Sequence, residues 1–266
     1  MIADASRASA GSSTLLALAL FFCPNLAAAQ ADLRILPAYF TGEFGTGVRT
    51  DMVYVPVIFV GASSRQEFRL TLPYLWIRTI APVTFTGGEI IRRGTGGATT
   101  VTGPGDVVVQ DEYFFVQGNR RLPWISGIAR LKLPTADESK GLGTGKADYG
   151  PGVSIIQPIG QRGNFIGAVE YVVRGEPAGA EFRNTLWVTA GFQSRLSDLS
   201  SVNLVYEKRQ SVIGGRPDIE DLSLGLDHHL SPAVTFRSAL YLGVSDTAED
   251  YGFSLGLSFR GSPPRP

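Results

Sequence analysis

Cysteine is almost missing from this sequence: Cys23 is the only one in 266 residues. A disulfide framework is therefore excluded, and beyond the N-terminal segment so is any thiolate nucleophile or ligand. Histidine is nearly as scarce, with His228 and His229 alone. Charged residues make up 18% of the chain, below the roughly 25% of an average soluble domain. Positive and negative side chains balance to a formal net charge of zero, so no bulk field draws the chain to nucleic acid. After the N-terminal segment no uncharged apolar stretch is long enough for a membrane-spanning helix, which excludes a helical membrane protein. Helix-period patterning is scarce as well. Glycine, by contrast, is plentiful at 32 residues, beside 16 prolines.

The start of the chain reads as an export signal. A short polar stretch leads into Leu15-Leu16-Ala17-Leu18-Ala19-Leu20-Phe21-Phe22 and then into small residues over 27–31. The apolar run is too short to cross a bilayer as a helix, and small residues suited to a signal peptidase follow it. Cleavage is expected after Ala29 or Ala31, which makes 1–31 a signal peptide. Phe21 and Phe22 occupy positions where a lipoprotein signal wants small side chains, so Cys23 is not expected to carry lipid.

From there to the end, two-residue alternation recurs. In Tyr251-Gly252-Phe253-Ser254-Leu255-Gly256-Leu257-Ser258-Phe259 every odd position is large and apolar and every even one is Gly or Ser. A soluble sandwich would put charge on the face opposite its apolar one; small residues suit a lumen. The same period runs through Leu222, Leu224, Leu226 and Leu230, through Leu186, Val188, Ala190 and Phe192, and through Phe68, Leu70, Leu72, Tyr74 and Trp76. Strands are predicted near 33–42, 48–60, 66–80, 106–117, 121–134, 147–159, 163–174, 184–196, 200–210, 218–230, 233–244 and 250–259. Short links at 62–65, 118–120, 160–162, 197–199 and 231–232 alternate with longer ones at 81–105, 135–146, 175–183, 211–217 and 245–249. That alternation predicts an all-β fold: a transmembrane antiparallel β-barrel of about twelve strands over 32–266, with a short C-terminal tail at 260–266. An even strand count places both termini in the periplasm of a Gram-negative cell. A soluble periplasmic barrel or sandwich fits the strand number, strand length and outward apolar sets less well.

Four stretches carry a family resemblance: Thr41-Gly42-Glu43-Phe44-Gly45, Leu70-Thr71-Leu72-Pro73-Tyr74, Gly103-Pro104-Gly105-Asp106, and Leu131-Lys132-Leu133-Pro134-Thr135 followed by Gly141-Leu142-Gly143-Thr144-Gly145. Together they resemble the outer-membrane family named for the meta pathway of phenol degradation, often labelled "transporter". The resemblance spans most of the mature chain and implies a barrel for passage of small, often aromatic or apolar compounds. It also implies outer-membrane lipid and the barrel-assembly machinery as partners. The chain departs from the usual ending, since 260–266 follow Phe259 where the assembly signal normally places a terminal aromatic.

Gly141-Leu142-Gly143-Thr144-Gly145 is not expected to cradle phosphate, because no helical period follows it. His228 and His229, adjacent on a strand, point to opposite faces and do not form a metal site. His228 faces lipid, with Ser238 and Ser194 as conceivable nucleophiles for an outer-membrane lipid hydrolase of phospholipase type. Its place near the 231–232 turn sets it toward the periplasmic rim, away from the external leaflet. No catalytic residue, cofactor or metal is therefore expected. Parity points Arg69, Arg130, Lys132, Glu170, Arg195, Glu207, Asp221, Asp227 and Arg237 into the lumen, where they form a cross-strand ladder, line a polar path, or do both. The leading expectation is a passive channel or transporter, with 81–105 covering or entering its mouth; a lipid hydrolase or a closed structural barrel are the alternatives.

Overall fold

The computed structural model describes residues 30–94, 96–177 and 179–261; the expected signal peptide lies outside them, apart from its last two positions. Sixteen strands follow in chain order: β1 (Gln30–Ile35), β2 (Ala38–Gly42), β3 (Thr50–Ala62), β4 (Gln66–Thr79), β5 (Val83–Phe85), β6 (Ile90–Arg92), β7 (Thr99–Pro104), β8 (Val107–Val116), β9 (Trp124–Leu133), β10 (Asp148–Ile159), β11 (Gly163–Val172), β12 (Thr185–Arg195), β13 (Ser200–Arg209), β14 (Ile219–His229), β15 (Val234–Gly243) and β16 (Tyr251–Arg260). All but β5 and β6 belong to one antiparallel sheet. Strand β1 pairs with both β3 and β16, which closes the sheet into a barrel with no free edge.

Two wall strands are interrupted, so the fourteen strands of the sheet make twelve staves. Between β1 and β2, Pro37 has no N–H to donate, and the ladder resumes in the same register beyond it. Between β7 and β8 the register slips: Tyr74 pairs with Pro104, but Thr71 pairs with Val108. One extra residue is accommodated there, a bulge that re-aims the side chains around Asp106.

The outer and inner faces follow from the period of two. On β16, Tyr251, Phe253, Leu255 and Phe259 are exposed on the outside, while Gly252, Ser254 and Ser258 are buried within. Leu72, Phe165, Val169, Leu204, Leu224 and Leu240 extend the same apolar exterior around the wall. In water this belt would be costly; against hydrocarbon it is the stable arrangement.

The structure adjusts several expected boundaries. Strand β1 includes Gln30 and Ala31, opposite Ala62 and Gly61. Arg260 belongs to β16 and pairs with Asp32, so the tail begins after it. The expected 118–120 turn is the longer link 117–123, because the Asn119 side-chain carbonyl accepts from the Arg121 and Leu122 amides and holds a wider turn. The segment 81–105 is not one loop: Thr99–Pro104 extends the wall against β4, and β5–β6 form a hairpin of their own.

That hairpin sits in the mouth of the barrel, at the rim of the longer links. Ala81, Val83 and Ile90 pack with Phe44, Val48, Met52, Leu75, Ile77 and Leu142 in a hydrophobic core enclosed by the barrel. Leu142 belongs to the Gly-Leu-Gly-Thr-Gly segment, whose role is structural. The Gly141 carbonyl accepts from the Phe85 amide at 2.9 Å. Gly141 has φ 75°, and a Cβ there would run into the Val83 carbonyl.

Candidate channel lumen

The β5–β6 hairpin is fastened to the opposite wall by its tip. Glu89, buried, accepts from Ser211 Oγ at 2.7 Å, from the Val212 amide at 2.9 Å and from Arg216 Nη1 at 3.0 Å. Arg209 donates to the Gly88 carbonyl at 3.1 Å, and Arg174 to that of Thr86 at 3.3 Å. Arg216 also reaches the Phe44 carbonyl, which joins the first long link to the same latch. These bonds hold the hairpin against β12–β14 and narrow the mouth.

Below it lies a cavity of about 380 Å³, within the range of small-molecule sites. One part of its wall is apolar and aromatic: Phe40, Met52, Tyr54, Phe85 and Tyr241. Phe40 and Tyr241 pack with ring centroids 5.1 Å apart, and Tyr54 and Phe85 with centroids 6.2 Å apart. The other part is charged. Arg130 grips Glu170 with Nε–Oε2 at 2.7 Å and Nη2–Oε1 at 3.2 Å. The Arg130 and Arg174 guanidiniums lie 5.0 and 5.2 Å from the Trp187 ring centroid. Lys132, buried, lies 3.2 Å from Asp106 and 3.1 Å from Asp148, and it donates to Thr144 at 3.0 Å. Arg174 completes that group by donating to Asp148 at 2.9 Å. Burial pulls the Arg174 guanidinium below its ordinary pKa, and the Asp148 carboxylate opposes the fall. Arg209 pairs with Asp221.

Of the nine side chains expected in the lumen, Arg130, Lys132, Glu170, Glu207 and Asp221 line this cavity. Arg195 lines a second, smaller cavity of about 210 Å³ at the rim of the shorter links, with Arg162, Asn164, Gln193, Asp198 and His229 among its neighbours. Arg69, Asp227 and Arg237 line neither. Arg237 donates to Asp227 at 2.7 Å and to Ser258 at 2.6 Å, and Arg69 donates to Glu67 on its own strand at 2.6 Å.

Other members of the upper cavity were not singled out by parity. Asp106 shares the parity of Val108, which lines the same cavity, so the rule could have found it. Arg209 shares the parity of Glu207, so the same rule could have found it. Glu249 lies in a link, where parity says nothing. It reaches the cavity because Gly243 has no side chain to meet the Glu249 carbonyl and Ala248.

The two histidines face opposite ways. His229 Nδ1 is 2.8 Å from Thr235 Oγ1, on the inside. His228 lies on the outer wall, where Nδ1 is 2.9 Å from Ser200 Oγ, so Ser200 rather than Ser238 or Ser194 is its partner. Ser238 instead meets the Leu226 carbonyl. No carboxylate among the described residues pairs with His228, so the orienting third member of a hydrolytic triad is not in place.

A closed twelve-stave barrel with an apolar exterior and a charged interior defines an outer-membrane type of β-barrel protein. Among solved structures, the chain resembles the COG4313 outer membrane channel from Pseudomonas putida F1, with a TM-score of 0.63 and 9% identity over 88% of this chain and 96% of that one. It also resembles the KdgM porin, with a TM-score of 0.51 and 7% identity over 87% and 99% of the two chains. The transport unit of the autotransporter AIDA-I from Escherichia coli gives a TM-score of 0.51 and 12% identity over 94% and 96%. At these identities the likeness is one of fold. No curated protein matches the sequence. Residues 53–261 match the family described as "Putative MetA-pathway of phenol degradation", and the chain belongs to that family.

Proposed function

We propose that this barrel is a passive outer-membrane channel for small aromatic or apolar compounds, with both termini in the periplasm, no cofactor and no covalent chemistry. The observation that carries the reading is the latched hairpin: it narrows the mouth without filling it, and leaves a cavity of small-molecule size walled partly by aromatic rings. Family membership and the barrels it resembles, a channel and a porin, agree with this reading. Expected partners are outer-membrane lipid, the barrel-assembly machinery and the solute itself. Lumen side chains would then set what passes, through the width they leave and the charges they hold.

Planar-bilayer recording tests the reading. Wild type is expected to give small conductance steps, because a twelve-stave lumen is narrower than that of porins with 16–18 strands. Arg130→Ala removes bulk from the cavity wall and leaves Glu170 without its partner, so conductance should rise and tilt toward cations. No conductance and no uptake of small aromatic solutes into liposomes would identify a closed structural barrel. Phospholipase activity lost in Ser200→Ala would identify a hydrolase.

A further inference from the structure

The ionic pairing around the upper cavity leaves a remainder. Its wall carries three cationic side chains, Arg130, Lys132 and Arg209, and each is committed to a carboxylate: Glu170, Asp106 and Asp221 respectively. Lys132 also meets Asp148, whose charge Arg174 balances. The latch above is balanced too, with Arg216 on Glu89. Two further wall carboxylates, Glu207 and Glu249, make no ion pair among the described residues; the Glu249 carboxylate accepts from its own backbone amide, and both share the charge of Arg209, which is paired with Asp221. Glu249 is 7% exposed, and what it faces is the cavity. Burial pushes its carboxyl above the ordinary value, with the Asp221 carboxylate adding to the rise.

Neutral groups line the cavity as well: Tyr54 contributes its ring, packed against Phe85. Two carboxylates in excess of the wall cations and two aromatic pairs lining one cavity are complementary to a cation with an apolar body: the charge meets the carboxylates and the ring quadrupoles, and the body meets the rings. An anion would meet an excess of negative charge, because three wall cations are shared among five wall carboxylates.

We infer that the upper cavity is a binding site for organic ammonium ions of aromatic-amine type, held by Glu207 and Glu249 and by the Tyr54 and Tyr241 rings that line the same cavity. In the channel reading, on which its transport role rests, the cavity favours cationic aromatic solutes over anionic ones of the same shape.

The test uses the purified full barrel in detergent and in bilayers, with phenethylammonium as probe, methylammonium as the cation without the ring, and phenylacetate as the ring with the opposite charge. Calorimetric titration should show phenethylammonium binding on the order of tenfold tighter than either comparator. In bilayers it should block the potassium current at correspondingly lower concentration. Glu207→Gln with Glu249→Gln should remove that advantage, and Tyr54→Phe should weaken binding less. Heat-modified migration on gels checks that each variant is folded. Phenylacetate binding as tightly as phenethylammonium, or a folded double variant that binds phenethylammonium unchanged, would overturn the site. Binding without any conductance would keep the site and remove the channel reading; conductance with no preference for the ammonium probe would do the reverse.

Discussion

In the upper half of the lumen, charged side chains reach across distance: Arg130 passes over β10 to Glu170 on β11, and Arg216 meets Glu89 of the inserted hairpin. In the lower half the pairs are between neighbours, Asp32 with Arg34, Glu67 with Arg69, and Asp227 with Arg237 on adjacent strands. Arg162 and Arg195 there make no ion pair among the described residues, although Asp198 lines the same cavity. The two halves are built from the same residue types on the same staves. What differs is the presence of a folded-in segment. Where the hairpin enters, water is displaced, charges are desolvated and each must find a partner; toward the periplasmic rim, water remains and a free guanidinium costs little.

If that contrast is correct, substitutions should lose effect from the mouth downward. Glu89→Ala strips the acceptor from Ser211, Val212 and Arg216, and leaves a part-buried guanidinium facing an emptied site. A loss of about 3–5 kcal/mol is expected in urea titrations of refolding into vesicles, together with a larger conductance as the hairpin comes free. A stable variant with unchanged conductance would show that the hairpin is held by its apolar contacts alone.

Asp227→Ala removes one of two acceptors from Arg237, which keeps Ser258 and is only partly buried. The expected loss is about 1–2 kcal/mol by the same titration, with little change in conductance. A penalty equal to that of Glu89→Ala would erase the distinction between the halves.

Arg195→Gln should fall within about 0.5 kcal/mol of wild type, since no acidic partner is lost. Its effect belongs to ion flow: removing an unpaired positive charge near the exit should lower chloride current slightly in asymmetric salt. A marked destabilisation would mean that Arg195 holds structure after all.

The outer wall was the most legible part of the sequence. The run from Tyr251 to Phe259 states its own orientation, because side chains alternate sides at every residue and one side must suit hydrocarbon. The same rule brought Arg130, Lys132, Glu170, Glu207 and Asp221 to the upper cavity. It also covers Asp106, which shares the parity of Val108, but it could not address Glu89 or Glu249, which lie in links. The family motif was legible as a motif but not in its role, since Gly141 matters through a hairpin more than fifty residues earlier, whose Phe85 amide it receives.

What the sequence determined by itself was therefore a local matter: strand after strand with one face for lipid and one for the lumen, enough of them to close, and links that alternate in length. Those properties depend on a period of two within each segment, and neighbouring residues suffice to set it. Tertiary structure alone decided which inward charge meets which and where charge is left over. Glu89 and Arg216 are 127 positions apart, and only barrel closure with the hairpin turned inward brings them within 3.0 Å. Glu207 and Glu249 remain without an ion pair among the described residues for the same reason: the folded wall delivers its cations to other carboxylates first.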